Sequence, residues 1–272
     1  MKIGSLVLDT DRLLFLMGPC VIESEGLLRE VASGLRAAAD QGSHQIVFKA
    51  SYDKANRSSV DSFRGMGCEE GCSLLAAVGR EFGFPVVTDV HSVDETKVAA
   101  EHVDLLQIPA FLCRQTDLIE AAARTGKPVN VKKGQFLAPA DVDNIAAKLK
   151  AFGCEDYFIT ERGTTFGYHH LVADMRSLPW MREQGHRVIF DATHSVQRPG
   201  GEGTRSGGDG RLAPVLARAA VAAGCDGVFL ETHPRPAEAL SDGPNQVPLE
   251  KVPGLLALLE QIHHITRNEW NG

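Results

Sequence analysis

Eight short apolar runs, each ending in polar residues, alternate along the chain with segments whose apolar residues recur every three or four positions. The runs are Leu14 to Cys20, Ile46 to Ser51, Val86 to His91, Leu105 to Pro109, Pro128 to Lys133, Tyr157 to Arg162, Arg187 to His194 and Gly227 to His233. Between them, Val142, Ile145, Ala146 and Leu149 share one helical face, and Leu255, Leu258, Leu259 and Ile262 do so near the C-terminus. Eight strand–helix units in succession predict an α/β fold, a single (β/α)8 TIM barrel over residues 1–272. Lys2 to Leu8 forms a short N-terminal arm or hairpin. An open doubly wound sheet usually has fewer strands and a Gly-rich first turn. No Pro- or Ser-rich linker divides the chain.

Strand alternation also says which side chains point inward. Val47, Lys49 and Ser51 share one face, and Ile46, Phe48 and Ala50 share the other. Asn130 and Lys132 oppose Val129, Val131 and Lys133, so Lys132 looks into the barrel mouth and Lys133 away from it. Gln107 opposes Leu106 and Ile108, and Arg162 closes the sixth run. In such a barrel the active site lies at the carboxyl ends of the strands. Lys49, Lys132 and Arg162 therefore converge, although each alone reads more readily as a rim charge. Beyond Lys49, the segment with Lys54, Asn56, Arg57, Ser58 and Ser59 concentrates donors that suit phosphate and carboxylate oxygens. A solvated turn is the plainer alternative.

The net charge of -7 disfavours nucleic acid or an anionic membrane as partner, so any anion site is a local basic cluster. No apolar run approaches the roughly 20 residues that cross a bilayer, and the N-terminus lacks a signal peptide's features, which predicts a cytoplasmic protein. The six cysteines show no small-domain disulfide framework, and Cys68 and Cys72 read as packing residues at the start of a helix. Cys20, His194, Glu231 and Asp242 differ from these. A closed barrel makes strands seven, eight and one neighbours, so the four can meet on one side of the mouth. Thiolate, imidazole and two carboxylates suit zinc, iron or manganese rather than magnesium. Taken singly, Cys20 is a buried thiol and His194 a hydrogen-bonded histidine. Asp191, His91 and His233 also lie near strand ends, and periodicity does not choose among them. The glycines of the Gly200 to Gly208 segment suit either a ligand-approaching loop or a surface loop. It is no nucleotide fingerprint, since the strand-turn-helix placement is missing.

Several segments together resemble the 3-deoxy-D-manno-octulosonate 8-phosphate synthases. They are Gly18-Pro19-Cys20, Lys49 to Ser59, Gln107 to Gln115, Val129 to Pro139, Thr160 to Tyr168, Asp191 to Gln197 and Glu231 to Pro234. The resemblance implies a homotetrameric barrel that condenses phosphoenolpyruvate, D-arabinose 5-phosphate and water into an eight-carbon sugar acid phosphate, a lipopolysaccharide precursor, with release of inorganic phosphate. It implies that Lys49, Lys132 and Arg162 clamp phosphoenolpyruvate, with Lys54 and Gln107 beside its carboxylate. Asn56, Arg57 and Ser58 match the pentose phosphate site, and Arg114 a residue that reaches that phosphate from a neighbouring subunit. Catalysis is thereby expected of Lys49, Lys54, Asn56, Lys132 and His194. The family has a metal-independent branch with asparagine where Cys20 stands; cysteine here, with His194, Glu231 and Asp242, implies the metal-dependent branch and a divalent ion. Gly243-Pro244 after Asp242 is a feature associated partly with the other branch. Three rival readings are a 3-deoxy-D-arabino-heptulosonate 7-phosphate synthase, which typically has a Lys-Pro-Arg-Thr run in the acceptor loop, a Schiff-base aldolase using Lys49 or Lys132, and a non-catalytic binding barrel.

Overall fold

The computed structural model of the protein describes residues 1–56, 61–166, 168, 170–198 and 207–267. The eight apolar runs form parallel strands: β1 Leu14–Gly18, β2 Gln45–Lys49, β3 Val86–Asp89, β4 Leu105–Ile108, β5 Val129–Lys132, β6 Tyr157–Glu161, β7 Val188–Asp191 and β8 Gly227–His233. Neighbours in sequence are neighbours in space, and β8 pairs with both β7 and β1, so the sheet closes on itself. The helices between and after them are α1 Glu25–Gly42, α2 Cys68–Phe82, α3 Val93–His102, α4 Thr116–Arg124, α5 Val142–Ala151, α6 Ser177–Glu183, α7 Ala213–Ala222 and α8 Val252–Thr266. The expected (β/α)8 barrel is what forms. Among the described residues, no helix is long and apolar enough to cross a membrane.

Local chemistry sets the helix ends. The Ser24 hydroxyl accepts from Leu27 N at the start of α1, and Ser92 accepts from Glu95 N at the start of α3. Helix α5 buries Val142, Ile145, Ala146 and Leu149, the face its spacing predicts. The last helix differs from expectation: it buries Val252, Leu255, Leu256 and Leu259, while Leu258 is exposed. The i, i+3, i+4, i+7 stripe begins three residues earlier than Leu255, because Val252 already packs into the core. Cys72 is fully buried on α2, Cys68 is half-buried, and all six cysteines are free.

One apolar layer fills the barrel and another lies between strands and helices. Leu14, Leu16, Val47, Val87, Leu105, Phe158, Ile189 and Phe229 point inward as a single cluster. A hairpin of Lys2–Ile3 and Leu6–Val7 inserts the fully buried Ile3 into this cluster from the amino end, with Met1, Leu6 and Leu8 packed around it. That end of the barrel is thereby plugged.

Above the apolar layer runs a rung of polar side chains. Gln107 Nε2 donates to Asp89 Oδ1 at 2.5 Å, Asn130 Nδ2 to Gln107 Oε1 at 2.8 Å, and Thr160 Oγ1 to Asn130 Oδ1 at 2.7 Å. The rung crosses β3, β4, β5 and β6, and Ser51 adds a short hydrogen bond to the other Asp89 oxygen. At the end of β1, Gly18 lies so close to β2 that a Cβ there would stand 1.9 Å from the Lys49 carbonyl oxygen. Only glycine permits this approach, which sets Cys20 beside Lys49.

Candidate active site

The carboxyl ends of the strands open into a cavity of about 850 Å³ whose walls include Lys49, Lys54, Asn56, Lys132, Arg162, His194 and Asp242. Its size is in the range of small-molecule sites. Lys49, the last residue of β2, donates to Glu231 Oε1 at 2.9 Å and to the Cys20 carbonyl at 3.0 Å. Lys132, the last residue of β5, pairs with Asp191 Oδ2 at 2.7 Å, and its ammonium sits 3.5 Å from the centroid of the Phe229 ring. Lys54 Nζ reaches Ser51 Oγ at 3.1 Å and Glu231 Oε1 at 4.0 Å. Arg162, just beyond β6, donates from Nη2 to Gln197 Oε1 at 3.0 Å, and its Nε is buried with no partner. No ion pair to Arg162 is found among the described residues. A buried guanidinium with a free Nε donor and no carboxylate within ion-pair distance among the described residues can receive an anion.

The titration behaviour agrees. Burial holds Arg162 below its usual pKa, against the opposing pull of Asp191 and Asp242. Burial likewise lowers Lys132, with Asp191 and Asp89 pulling the other way. For Asp89, Asp191 and Glu231 burial works to raise the pKa, and the surrounding cations win. Lys49, Lys54 and Lys132 hold Asp89 well below the carboxylate range; His194 and Lys132 do so for Asp191, and Lys49, His194 and Lys54 for Glu231. A carboxylate whose folded pKa is depressed adds stability that is complete above the unfolded value and lost as the pH falls through the folded one. The melting temperature should therefore stay level from neutrality down to about pH 5 and fall steeply below about pH 4. A thermal melt series from pH 7 to pH 3 checks this; an unchanged melting point at pH 3 would refute it.

The same mouth holds a cluster of soft and hard donors, joined to Arg162 through Gln197. Cys20 Sγ and one oxygen each of Glu231 and Asp242 lie within 4.8 Å of one another. His194 Nε2 is 3.9 Å from Glu231 Oε1 and 3.9 Å from Asp242 Oδ2. His194 Nδ1 is bonded to Asp191 Oδ2 at 2.8 Å, which turns Nε2 toward the cluster as its free ligand atom. Glu231 Oε2 is buried without a hydrogen-bond partner, an orphan acceptor that a cation would satisfy. Burial, with Glu231 adding to it, pushes the Cys20 thiol far up, so the sulfur becomes a thiolate ligand only if an ion displaces its proton. One sulfur and two carboxylates within metal-holding distance, with the His194 nitrogen beside the two carboxylates, fit a divalent metal of the first transition row.

Of the residues singled out in the sequence, Lys49, Lys54, Lys132, Arg162 and His194 share the cavity wall, and Asn56 is exposed on its rim. Cys20, Glu231 and Asp242 form the cluster beside them. Gln107 does not line the cavity: it is fully buried in the polar rung, with both ends of its amide engaged. Period-two alternation fixes which way a side chain faces but not how deep it lies, so an inward Gln107 could sit below the mouth as readily as in it. Arg114 is exposed and outside the cavity. Arg57 and Ser58, and residues 200–206 of the glycine-rich segment, lie outside the described residues. Lys133 does face away from the mouth, yet it is fully buried, donating to the carbonyls of Leu137 at 3.0 Å and Gly134 at 3.3 Å. Asp89 and Gln197 escaped the sequence reading. For Asp89 a signal existed: Val87 is an inward residue, and the same alternation sends Asp89 inward two positions later. Gln197 had none, because its two partners come from distant segments.

Each cation of the wall is tied to a member of the cluster: Lys49 to Glu231, Lys132 through Asp191 to His194, and Arg162 through Gln197 to Asp242. Such an arrangement can hold an anion against a metal-activated partner. A profile of the DAHP synthetase I family matches residues 6–268. A relative from Acidithiobacillus ferrooxidans is 58% identical over 94% of this chain and 91% of its own length, and its name is 2-dehydro-3-deoxyphosphooctonate aldolase. Relatives of the same name from Methylibium petroleiphilum and Trichlorobacter lovleyi are 56% and 52% identical, each over 98% of this chain and over 95% and 98% of their own lengths. The cation wall, the donor cluster and a match over nearly the whole length agree: the chain belongs to the DAHP synthetase I family and to the enzymes called 2-dehydro-3-deoxyphosphooctonate aldolase.

Proposed function

We propose that the mouth condenses phosphoenolpyruvate with D-arabinose 5-phosphate and water, giving 3-deoxy-D-manno-octulosonate 8-phosphate and inorganic phosphate. The observation that carries this reading is the buried Arg162 with a free Nε donor, sharing with Lys49 and Lys132 the wall of a cavity large enough for two phosphorylated reactants. In this reading Lys49, Lys132 and Arg162 hold the phosphoenolpyruvate, with Lys54 beside it. Asn56, Arg57 and Ser58 receive the pentose phosphate. Two anions repel each other in water, so holding them face to face in fixed orientation is itself a large part of the catalysis.

The enol-phosphate C3 attacks the sugar aldehyde, forming the C–C bond while positive charge develops at C2. Asp89, Asp191 and Glu231, kept ionised by their cations, surround that region with negative charge. Water then adds at C2, and the hemiketal phosphate expels phosphate by C–O cleavage. The leaving phosphate carries its charge to the Lys132–Arg162 side of the cavity. Cys20, His194, Glu231 and Asp242 would hold a divalent ion, zinc, iron or manganese, which supplies polarisation of the aldehyde or orientation of the water.

Four further points of this reading come from the family. The chain works in the cytoplasm, supplies a lipopolysaccharide precursor, needs its metal, and assembles as a homotetramer in which Arg114 serves a neighbouring subunit. The exposure of Arg114 away from its own cavity fits that last role. Light scattering at the mass of four chains would support it, and a monomer would refute it.

The test is a phosphate-release assay on metal-stripped and metal-restored protein with arabinose 5-phosphate or erythrose 4-phosphate as acceptor. The pentose should be preferred by at least about 10²-fold in kcat/KM, because a site built to hydrogen-bond a hydroxyl discriminates strongly against the shorter analogue. Preference for the tetrose would reverse the assignment in favour of the heptulosonate synthase.

A further inference from the structure

Gln197 spans the gap between the cation wall and the donor cluster. Its carbonyl oxygen accepts from Arg162 Nη2 at 3.0 Å, and its amide nitrogen donates to Asp242 Oδ1 at 3.1 Å. A guanidinium only donates and a carboxylate only accepts, so the two partners fix the orientation of the amide. Asp242 Oδ2 is left turned toward Cys20, 3.4 Å from its sulfur, and toward His194.

The local chain explains the placement. Asp191 ends β7 and accepts from His194 N at 2.9 Å, closing a tight loop. The turn His194–Val196 follows, and Gln197 then extends with its backbone paired to Gly208. One short stretch thus sends Asp191, His194 and Gln197 to the same mouth.

The three ties between wall and cluster are not equivalent. Lys49 meets Glu231, and Lys132 meets Asp191, each through a full opposite charge that neutralises it. Gln197 holds Arg162 without a charge, so the guanidinium keeps its attraction for an incoming anion while the same amide fixes the rotamer of Asp242. We propose that Gln197 is a positioning residue that couples divalent-metal binding to phosphoenolpyruvate binding by orienting Arg162 and Asp242 together. This rests on the assignment of the metal and phosphoenolpyruvate sites made above. Linkage then requires that each ligand tighten the other by the same factor.

The experiment measures the dissociation constant of manganese by calorimetry, without and with saturating phosphoenolpyruvate, in the native protein, Gln197→Met and Gln197→Glu. The ratio of the two constants is the coupling factor. Native protein should show coupling of about tenfold or more, and Gln197→Met should reduce that factor by about fivefold, as expected for losing a shared pair of ordinary hydrogen bonds. A residue that merely supports the fold would weaken both ligands and leave the ratio alone. Gln197→Glu still accepts from Arg162 but pairs it with a charge, so phosphoenolpyruvate should bind about tenfold more weakly than to native protein.

An unchanged coupling factor in Gln197→Met, with both ligands binding native protein, overturns the role of Gln197 alone. Should Gln197→Met not fold, the glutamate variant decides, and native-like phosphoenolpyruvate affinity in it overturns the proposal. Failure of the native protein to bind manganese or phosphoenolpyruvate overturns the functional assignment and the proposal together.

Discussion

Replacing Lys132 with methionine should lower phosphate release from phosphoenolpyruvate and arabinose 5-phosphate by about 10³-fold, the upper range for deleting one preorganised charge stabiliser. Methionine is similar in length and fills the same space against Phe229, so the change removes the charge rather than the packing. Lys132 is buried at the carboxyl end of β5 and points across the cavity toward β7, where Asp191 anchors it at 2.7 Å. In so dry a setting its ammonium acts on a phosphorylated reactant with little screening. Lys132→Arg separates two explanations. If the residue works by charge, arginine should recover part of the lost turnover, whereas an amine that forms a Schiff base cannot be replaced by a guanidinium. Lys132→Met also leaves Asp191 with His194 as its remaining partner, so the variant should melt at lower temperature, and turnover is to be measured well below that point. Turnover within tenfold of native in Lys132→Met, or a borohydride-trapped adduct on Lys132, would remove the electrostatic role.

The second large effect is expected at Cys20. Cys20→Ala should weaken binding of a divalent ion by about 10²-fold, at least the loss seen when residues that only support a ligand are removed. Turnover should fall in parallel at limiting metal. Native protein treated with a chelator should lose activity and regain it with manganese, iron or zinc, and Cys20→Ala should regain little. The substitution is mild for the fold, because it deletes one buried sulfur atom. Loss of metal without loss of melting temperature therefore identifies the sulfur as a ligand. Chelator-insensitive turnover at the native level in Cys20→Ala would exclude it.

How far the sequence carried these conclusions differs from one residue to another. Alternation placed Lys49 with Val47 and Lys132 with Asn130 on inward faces, and the structure has them there, because a closed parallel barrel leaves each strand only an inner and an outer side. The strand runs were slightly too long: Cys20 lies two residues past β1, and His194 opens the turn after β7. Depth was not legible, and Gln107 shows why. Its inward direction is encoded by its neighbours, but whether it lines the mouth or the rung beneath depends on the stagger of four strands. Lys133 shows the converse. Its outward direction was legible, whereas its full burial depends on the carbonyls of Gly134 and Leu137 folding back over it. The donor cluster drew on four distant segments, so topology allowed it and the family resemblance selected it over His91, His233 and Asp191. Asp191 proved to serve His194 and Lys132 at once, a second-layer role that no single-segment pattern encodes.

The rung of Asp89, Gln107, Asn130 and Thr160 has a consequence for how the barrel is put together. On the outward faces of these strands apolar residues recur at every second position, Leu106 and Ile108, Val129 and Val131, Tyr157 and Ile159, so sliding one strand by two residues past its neighbour would still bury greasy side chains on that side. Hydrophobic matching alone would leave those misaligned sheets close in energy to the native one. A slipped strand would, however, strand a carboxylate or an amide against hydrocarbon with nothing to bond. The four side chains thus act as registration marks, selecting one alignment of the sheet during assembly before any reactant arrives.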